Sequence, residues 1–138
     1  MLAAAEGIGR WLLRAMFFLS ILGCVWGVRA LGTFGPLGLT PILDHLHGRS
    51  TPPAPFTAAG PYRWVRHPLY SFSLLIIWSS PDLTADRLTF NVLWSAWIIV
   101  GTILEERDLV SDLGETYRDY QRQVPMLVPW RIGRTARS

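Results

Sequence analysis

The longest stretch of this chain without a charged residue covers residues 88–104 and ends directly at two adjacent glutamates, Glu105 and Glu106. A stretch of that length can cross a bilayer whose hydrocarbon core thins slightly. A second apolar run, residues 69–83, precedes it and is short for a full crossing. The turn between the two runs is brief and rich in Pro and Asp. The sequence therefore predicts an antiparallel helical hairpin over residues 69–104, set in a membrane.

A third apolar run lies near the N-terminus, over residues 11–31, with Arg14 and Arg29 near its ends. Arginines at such positions can extend to the lipid headgroups, so this run also predicts a transmembrane helix. No small-residue cleavage pattern follows it, which favours a membrane anchor over a signal peptide. The chain has 138 residues, of which 50% are hydrophobic and only 17% charged. We therefore predict one all-α integral-membrane domain, residues 1–138, with about three transmembrane helices.

The distribution of arginine predicts the orientation in the membrane. The connection over residues 32–67 and the C-terminal tail are rich in arginine, whereas the hairpin turn has one arginine against two aspartates. The positive-inside rule then places the connection and the tail in the cytoplasm, and the turn and the N-terminus outside. Arg10 and Arg14 favour the opposite orientation weakly. The expected location is a bacterial inner membrane, with the C-terminus facing the cytoplasm.

The connection and the tail have different patterns. Residues 36–47 are compatible with a short interfacial helix, and residues 49–55 form a strap stiffened by three prolines. In the tail, apolar residues recur at helical spacing between charged ones, at Leu109, Leu113, Tyr117, Tyr120 and Val124. This pattern predicts an amphipathic helix over residues 105–124, ended by Pro125, with both tyrosines in packing roles.

Polar residues collect at one end of the predicted hairpin. His67-Pro68 begins the apolar run over residues 69–83, and proline is well tolerated in the first turn of a helix, so His67 and Tyr70 share one helical turn. Glu105 and Glu106 are expected to end the run over residues 88–104 at the same membrane face. Because a helix C-terminus disfavours carboxylates, the two glutamates need another partner. The candidates are Arg63, Arg66, Arg107 or a ligand.

Five short motifs occur in a fixed order over residues 55–130. They are Gly60-x-Tyr62, Arg66-His67-Pro68-x-Tyr70, Glu105-Glu106, Gly114-Glu-x-Tyr117-x-x-Tyr120 and Val124-Pro125. Together they resemble the isoprenylcysteine carboxyl methyltransferase family, a group of integral-membrane enzymes that depend on S-adenosylmethionine. The methanethiol S-methyltransferases and the phospholipid N-methyltransferases are similar to that family.

The resemblance implies methyl transfer from S-adenosylmethionine to a small or lipophilic acceptor, which is a thiol, a carboxylate or a lipid. It also implies a cofactor pocket at the cytoplasmic membrane face. The residues implied to line the pocket are Phe56, Thr57, Tyr62, His67, Leu69 and Tyr70. Glu105 is implied to reach the polar end of the cofactor, while Glu106 is either a second ligand or a structural ion-pair partner. His67 is the candidate catalytic base for a neutral thiol or amine.

Two departures from the family pattern bear on the substrate. Phe72 stands where many relatives have glycine, two residues after the motif tyrosine. Residues 99–102 contain no arginine, whereas the eukaryotic prenyl-cysteine enzymes place one shortly before the glutamate pair to hold the substrate. The second departure puts a prenyl-cysteine acceptor in doubt. A thiol, a prenyl-cysteine carboxylate, an isoprenoid and a phospholipid amine all stay compatible with an apolar lateral entrance.

Two other function classes compete with an enzyme. A non-catalytic membrane module of the same fold would bind lipid or a partner protein. A haem- or quinone-carrying anchor is disfavoured, because His45, His47 and His67 all lie in the connection rather than inside a span. His45-x-His47 lacks a suitably spaced acidic or cysteine partner, so no metal site is predicted.

The remaining expectations concern partners and the single cysteine. Cys24 lies inside an apolar run and is expected to be a buried structural thiol. Basic residues are scattered and match no nucleic-acid-binding motif, so nucleic acid is not an expected partner. The expected partners are the lipid bilayer and a small-molecule or lipid acceptor. The oligomeric state is open, and a homo-oligomer is compatible with the sequence.

Overall fold

The computed structural model describes residues 2–32 and 58–130. Apart from a small strand pair, its regular structure is helical, which confirms the predicted all-α class. Its elements are β1 (Ala3–Ala4), α1 (Gly7–Gly32), a 3₁₀ turn (Gly60–Arg63), α2 (Pro68–Trp78), β2 (Asp82–Leu83), α3 (Ala85–Leu113) and α4 (Glu115–Gln123). The predicted interfacial helix (36–47), the strap (49–55), Phe56 and Thr57 lie outside the described residues.

Two helices, α1 and α3, are long and apolar enough to cross a membrane, judged by length and composition. The chain is thus consistent with an all-α membrane protein. The helix α2 is apolar but has only 11 residues, which at about 1.5 Å per residue is roughly half the hydrocarbon thickness. The predicted apolar run over residues 69–83 is therefore not one helix. It ends at Trp78, because Pro81 and the strand β2 follow.

A seam of small residues joins α1 to α2. Among the α1 residues whose burial the structure describes, 7–30, the buried ones are Ser20, Gly23, Gly27 and Ala30. A Cβ atom added to Gly23 would lie 2.5 Å from the ring of Phe72. Small residues allow two helices to approach closely. Phe72, which departs from the family pattern, occupies the space that Gly23 leaves open.

The N-terminus is tied to the hairpin turn. The strands β1 and β2 pair antiparallel, with Ala3 opposite Leu83. Arg10 reinforces this pairing, because its Nη2 donates to Oδ1 of Asp82 at 2.6 Å. The N-terminus and the turn therefore lie at one end of the molecule, as the predicted topology requires.

The boundary between α3 and α4 differs from the sequence prediction. The glutamates do not end the apolar helix, and residues 105–124 are not one amphipathic helix, because α3 continues to Leu113. Nothing before Gly114 breaks the helix, whereas Gly114 has a φ of +59° and separates α3 from α4. The glutamates therefore lie inside α3, and the argument that a helix C-terminus disfavours them does not apply.

One face of α3 points into the protein. Its buried residues are Asn91, Ile98, Thr102 and Glu106, and their spacing places them on a single helical stripe. Glu106 therefore faces inward, while the side chain of Glu105 beside it is 46% exposed. Asn91 donates from Nδ2 to the carbonyl of Ile77 at 3.0 Å and so ties α3 to the end of α2.

Cys24 is half-buried rather than buried, so the prediction of a buried thiol is wrong. It lies next to Gly23 on α1 but outside the small-residue seam. Helical geometry turns each successive residue by about 100°, so a neighbour of a seam residue lies toward the edge of the seam. An apolar run that is exposed on most sides gives no sequence signal for the face that is covered.

Candidate functional site

A buried ion pair links the start of α2 to α3. Arg66 donates from Nε to Oε1 of Glu106 at 2.6 Å and from Nη2 to Oε2 at 3.0 Å. Both side chains are about one-tenth exposed. Arg66 is one of the three arginines that the sequence offered as partners for the glutamates, and in the structure it pairs with Glu106. Two parallel donors on one carboxylate fix both side chains in position.

The same guanidinium also holds the end of α4. Its Nη1 donates to the carbonyl oxygen of Gln121 at 3.0 Å and to that of Val124. Gln121 in turn donates from Nε2 to Oε2 of Glu106 at 2.9 Å. The pair Arg66–Glu106 thus joins α3 to the C-terminal end of α4.

His67 lies beside this ion pair and is 7% exposed. Its Nε2 is 3.1 Å from Oε1 of Glu106, and its ring stacks on Tyr70 with a centroid separation of 5.8 Å. Its backbone N–H donates to the carbonyl of Met126 at 3.1 Å. Because Pro68 follows as the first residue of α2, the imidazole is held at the point where the chain begins that helix.

Glu105 and Tyr70 form the open edge of the cluster. The Tyr70 hydroxyl donates to Oε2 of Glu105 at 3.1 Å, and Nδ1 of His67 is 3.9 Å from the same oxygen. Tyr70 and Glu105 are both exposed. The two neighbouring glutamates therefore differ: Glu106 is buried and paired with an arginine, whereas Glu105 faces the surface.

Tyr62 belongs to the same end of the molecule. Burial, and then the negative charge of Glu105, raises the pKa of Tyr62 to about 12. Its phenol therefore stays protonated at neutral pH and can act as a hydrogen-bond donor. The backbone carbonyl of Tyr62 accepts a hydrogen bond from the hydroxyl of Tyr120 at 2.5 Å.

The tyrosines of α4 have the packing role that the sequence predicts. Tyr117 is 2% exposed, and its ring meets that of Tyr120 edge to face at 5.7 Å. Burial raises the pKa of both side chains above the ordinary tyrosine value. The helix α4 thus folds back over the site and is anchored there by aromatic side chains.

Replacing Tyr120 with phenylalanine is expected to lower the free energy of unfolding by about 0.5–1.5 kcal/mol. The variant keeps the aromatic packing but loses the hydrogen bond to the Tyr62 carbonyl. Thermal unfolding in mild detergent measures the change. An unaltered melting temperature would show that this hydrogen bond contributes nothing to anchoring α4.

The structure brings together Tyr62, His67, Tyr70, Glu105 and Glu106 among the predicted site residues. Leu69 differs, because its Cδ2 would lie 2.8 Å from a Cβ on Gly27, so its side chain packs toward α1. Gln121 is a member of the cluster that sequence reasoning missed. It follows Tyr117 by four residues, so the helical periodicity of α4 places it on the same inward face.

An apolar groove adjoins the cluster. It has a volume of about 590 Å³ and lies between α2 and the segment 127–129, with Trp64, Pro68 and Leu75 in its walls. Ser71 and Leu127 both line the groove, and the Ser71 hydroxyl donates to the carbonyl of Leu127 at 2.7 Å. The site is therefore flanked by a surface suited to hydrocarbon.

These observations define a helical protein of the membrane class with a cluster of carboxylate, guanidinium, imidazole and phenol groups at one end of its apolar helices. No family model matches the chain, and no solved structure matches it. A curated methanethiol S-methyltransferase from a Pseudomonas species is 41% identical over 128 residues, covering 89% of this chain and 47% of the relative. Methanethiol S-methyltransferase 1 of Bradyrhizobium diazoefficiens is 40% identical over 98 residues, which is 71% of this chain and 34% of the relative.

The Mycobacterium tuberculosis methanethiol S-methyltransferase is 36% identical over 122 residues, covering 88% of this chain and 50% of the relative. This chain is a homologue of the methanethiol S-methyltransferases, which confirms the resemblance seen in the sequence. The chain spans about half the length, or less, of these relatives.

Proposed function

We propose that this protein transfers a methyl group from S-adenosylmethionine to a small thiol. The observation that carries the proposal is the surface-facing carboxylate of Glu105, held by Tyr70 and next to His67. It is the arrangement expected of a site for a positively charged ligand at a membrane face. The relatives' name supplies the reaction class and the thiol.

The residues present fit S-adenosylmethionine. This molecule carries a cationic sulfonium and an ammonium group, and an exposed carboxylate beside aromatic rings suits both. Glu105, Tyr70, Tyr62 and His67 would hold it. Phe56 and Thr57 are carried over from the family resemblance as further binding residues, whereas Leu69, which the resemblance also implied, packs toward α1. Glu106 has a structural role in this proposal, because Arg66, His67 and Gln121 already occupy its oxygens.

When bound, S-adenosylmethionine supplies a methyl group on a positively charged sulfur. The protein's own contribution is positioning, because an in-line displacement needs little chemical help once a thiolate is present. Holding two reactants in line can remove about 7–11 kcal/mol of an activation barrier. The rigid links from α2 to α3 and α4 suit that task, and the apolar groove lets a lipophilic acceptor approach from the bilayer.

The acceptor and the orientation are part of the proposal. A small thiol agrees with the relatives' name, and the absence of arginine from residues 99–102 disfavours a prenyl-cysteine carboxylate. The arginine-rich tail supports a site facing the cytoplasm from a bacterial inner membrane.

The test is to measure by calorimetry how tightly S-adenosylmethionine binds to the purified protein in mild detergent. Glu105→Ala is expected to weaken binding about 10–150-fold, because hydrogen bonds to charged groups contribute about 1.5–3 kcal/mol. Glu115→Ala is the matched control, since Glu115 is an exposed glutamate on α4 that pairs with Arg118. It is expected to bind as the unmodified protein does.

Folded protein that binds no S-adenosylmethionine would contradict the proposal, as would equal binding by Glu105→Ala. Comparing the rate of methyl transfer to methanethiol with the rate to a prenyl-cysteine acceptor then tests the substrate class. Binding without turnover on any acceptor would favour the non-catalytic module of the same fold.

A further inference from the structure

We propose that Glu106 fixes the tautomer of His67, so that Nδ1 takes the proton from the acceptor thiol. This inference rests on the proposed function and deepens it. Glu106 is then a positioning residue, and His67 is the catalytic base. The two glutamates of the motif would have separate tasks, with Glu105 toward the ligand and Glu106 toward the histidine.

The hydrogen bonds to Glu106 determine which nitrogen of His67 carries its proton. An ionised carboxylate can only accept hydrogen bonds. Oε1 of Glu106 lies 3.1 Å from Nε2 of His67, so Nε2 must be the protonated nitrogen. A neutral imidazole has a single N–H, and Nδ1 is then left with a free lone pair.

The surroundings of Glu106 keep it ionised. Arg66, whose guanidinium stays charged in proteins, donates to both carboxylate oxygens. Gln121 adds a further donor to Oε2. Because Arg66 and Gln121 both donate to it, the carboxylate stays ionised and can only accept a hydrogen bond from His67.

Nδ1 faces the open edge of the cluster. It lies 3.9 Å from Oε2 of Glu105, which is too long for a hydrogen bond, and no residue within 2–32 or 58–130 donates to it. Within residues 2–32 and 58–130, the titratable and charged groups around the imidazole are Glu105 and Glu106 from α3, Tyr70 from α2, and Arg66, which precedes it in the chain. The imidazole lies between two carboxylates, with Nε2 3.1 Å from Glu106 and Nδ1 3.9 Å from Glu105.

In the proposed step, a proton moves from the thiol to His67 while the thiol sulfur takes the methyl group. The thiol S–H bond breaks and its proton moves to Nδ1 of His67. The sulfur's electron pair forms the new bond to the methyl carbon, while the bond between that carbon and the sulfonium breaks and leaves its pair on the departing sulfur. The thiolate is the reactive form of a thiol, and a positioned histidine is the side chain most often used to take up such a proton.

Nitrogen-15 NMR of histidine-labelled protein in detergent tests the tautomer without any turnover. The signals of His67 are identified by their loss in His67→Gln. In the unmodified protein the proton is expected on Nε2, and Glu106→Gln, whose amide can donate, is expected to shift it toward Nδ1. Glu115→Gln, the same change on an exposed site, is expected to leave the tautomer unchanged. A proton on Nδ1 in the unmodified protein overturns the proposal, even if Glu106→Gln does not fold.

Kinetics provide the second test. For Glu106→Gln we expect kcat with methanethiol to fall about 100-fold at neutral pH, the range of general-base effects. S-adenosylmethionine affinity should stay within about threefold. The deficit should shrink as the pH rises and the thiol ionises in solution, because no base is then needed. A deficit that is equal at every pH would show a merely structural role and overturn the proposal. Absence of turnover in the unmodified protein would instead count against the proposed function, while the NMR result still decides the tautomer.

Discussion

Replacing Arg66 with methionine is expected to lower the free energy of unfolding by about 3–5 kcal/mol and to release α4 from the site. Methionine keeps much of the side-chain volume but leaves the buried Glu106 carboxylate without its charged partner. Removing one member of a buried ion pair costs about that much, because the other charge stays buried. The two backbone carbonyls at the end of α4 lose their donor as well.

Thermal unfolding and hydrogen exchange in detergent measure the two effects. The amides of α4 should exchange faster in Arg66→Met, while those of α1 should change little. Arg118→Met is the matched control, because Arg118 pairs with Glu115 on the exposed face of α4. Exposed pairs contribute about 0–1 kcal/mol. Equal losses in the two variants would show that the buried pair has no special role.

Gly23→Ala is expected to destabilise the contact between α1 and α2 more than alanine at Gly9 or Gly27. Its Cβ would lie 2.5 Å from the Phe72 ring, so α1 and α2 must separate or the ring must move. Overpacking of this kind costs about 1–3 kcal/mol. Since α2 begins at the site, the separation should also weaken S-adenosylmethionine binding.

Gly101→Ala is the control for Gly23→Ala. Gly101 lies inside α3 with nothing within 4 Å of an added Cβ, so alanine should be neutral or should raise stability by up to about 1 kcal/mol. Adding Phe72→Leu to Gly23→Ala should restore part of the lost melting temperature. A Gly23→Ala variant as stable as Gly101→Ala would refute the close approach of the two helices.

Much of the helical fold was predictable because apolar runs and proline positions are local signals. The helix α3 was found from its uncharged stretch, and α2 from His67-Pro68. The sequence placed the end of α3 too early, at Glu105 and Glu106. Two charged residues end an apolar run, but a helix can continue through them. The actual boundary is Gly114, where the backbone takes a positive φ.

The site was predictable as a set of residues but not as a network. The motifs identified His67, Tyr70 and both glutamates. Which glutamate is buried in the ion pair and which is exposed depends on which of them faces inward. That choice follows from the tertiary packing of α3, together with Arg66. The orientation of Leu69 was equally hidden, since every face of a short apolar helix looks the same in sequence.

The backbone contacts of the site have a consequence for the order in which it forms. Arg66 and His67 donate their N–H groups to the carbonyls of Pro125 and Met126, so one wall of the cluster comes from residues that follow α3 and α4 in the chain. Because synthesis proceeds from the N-terminus, α1, α2 and α3 leave the ribosome before that wall exists. The backbone hydrogen bonds that hold Arg66 and His67 can therefore form only after the three helices have been synthesised, when residues 125 and 126 reach them.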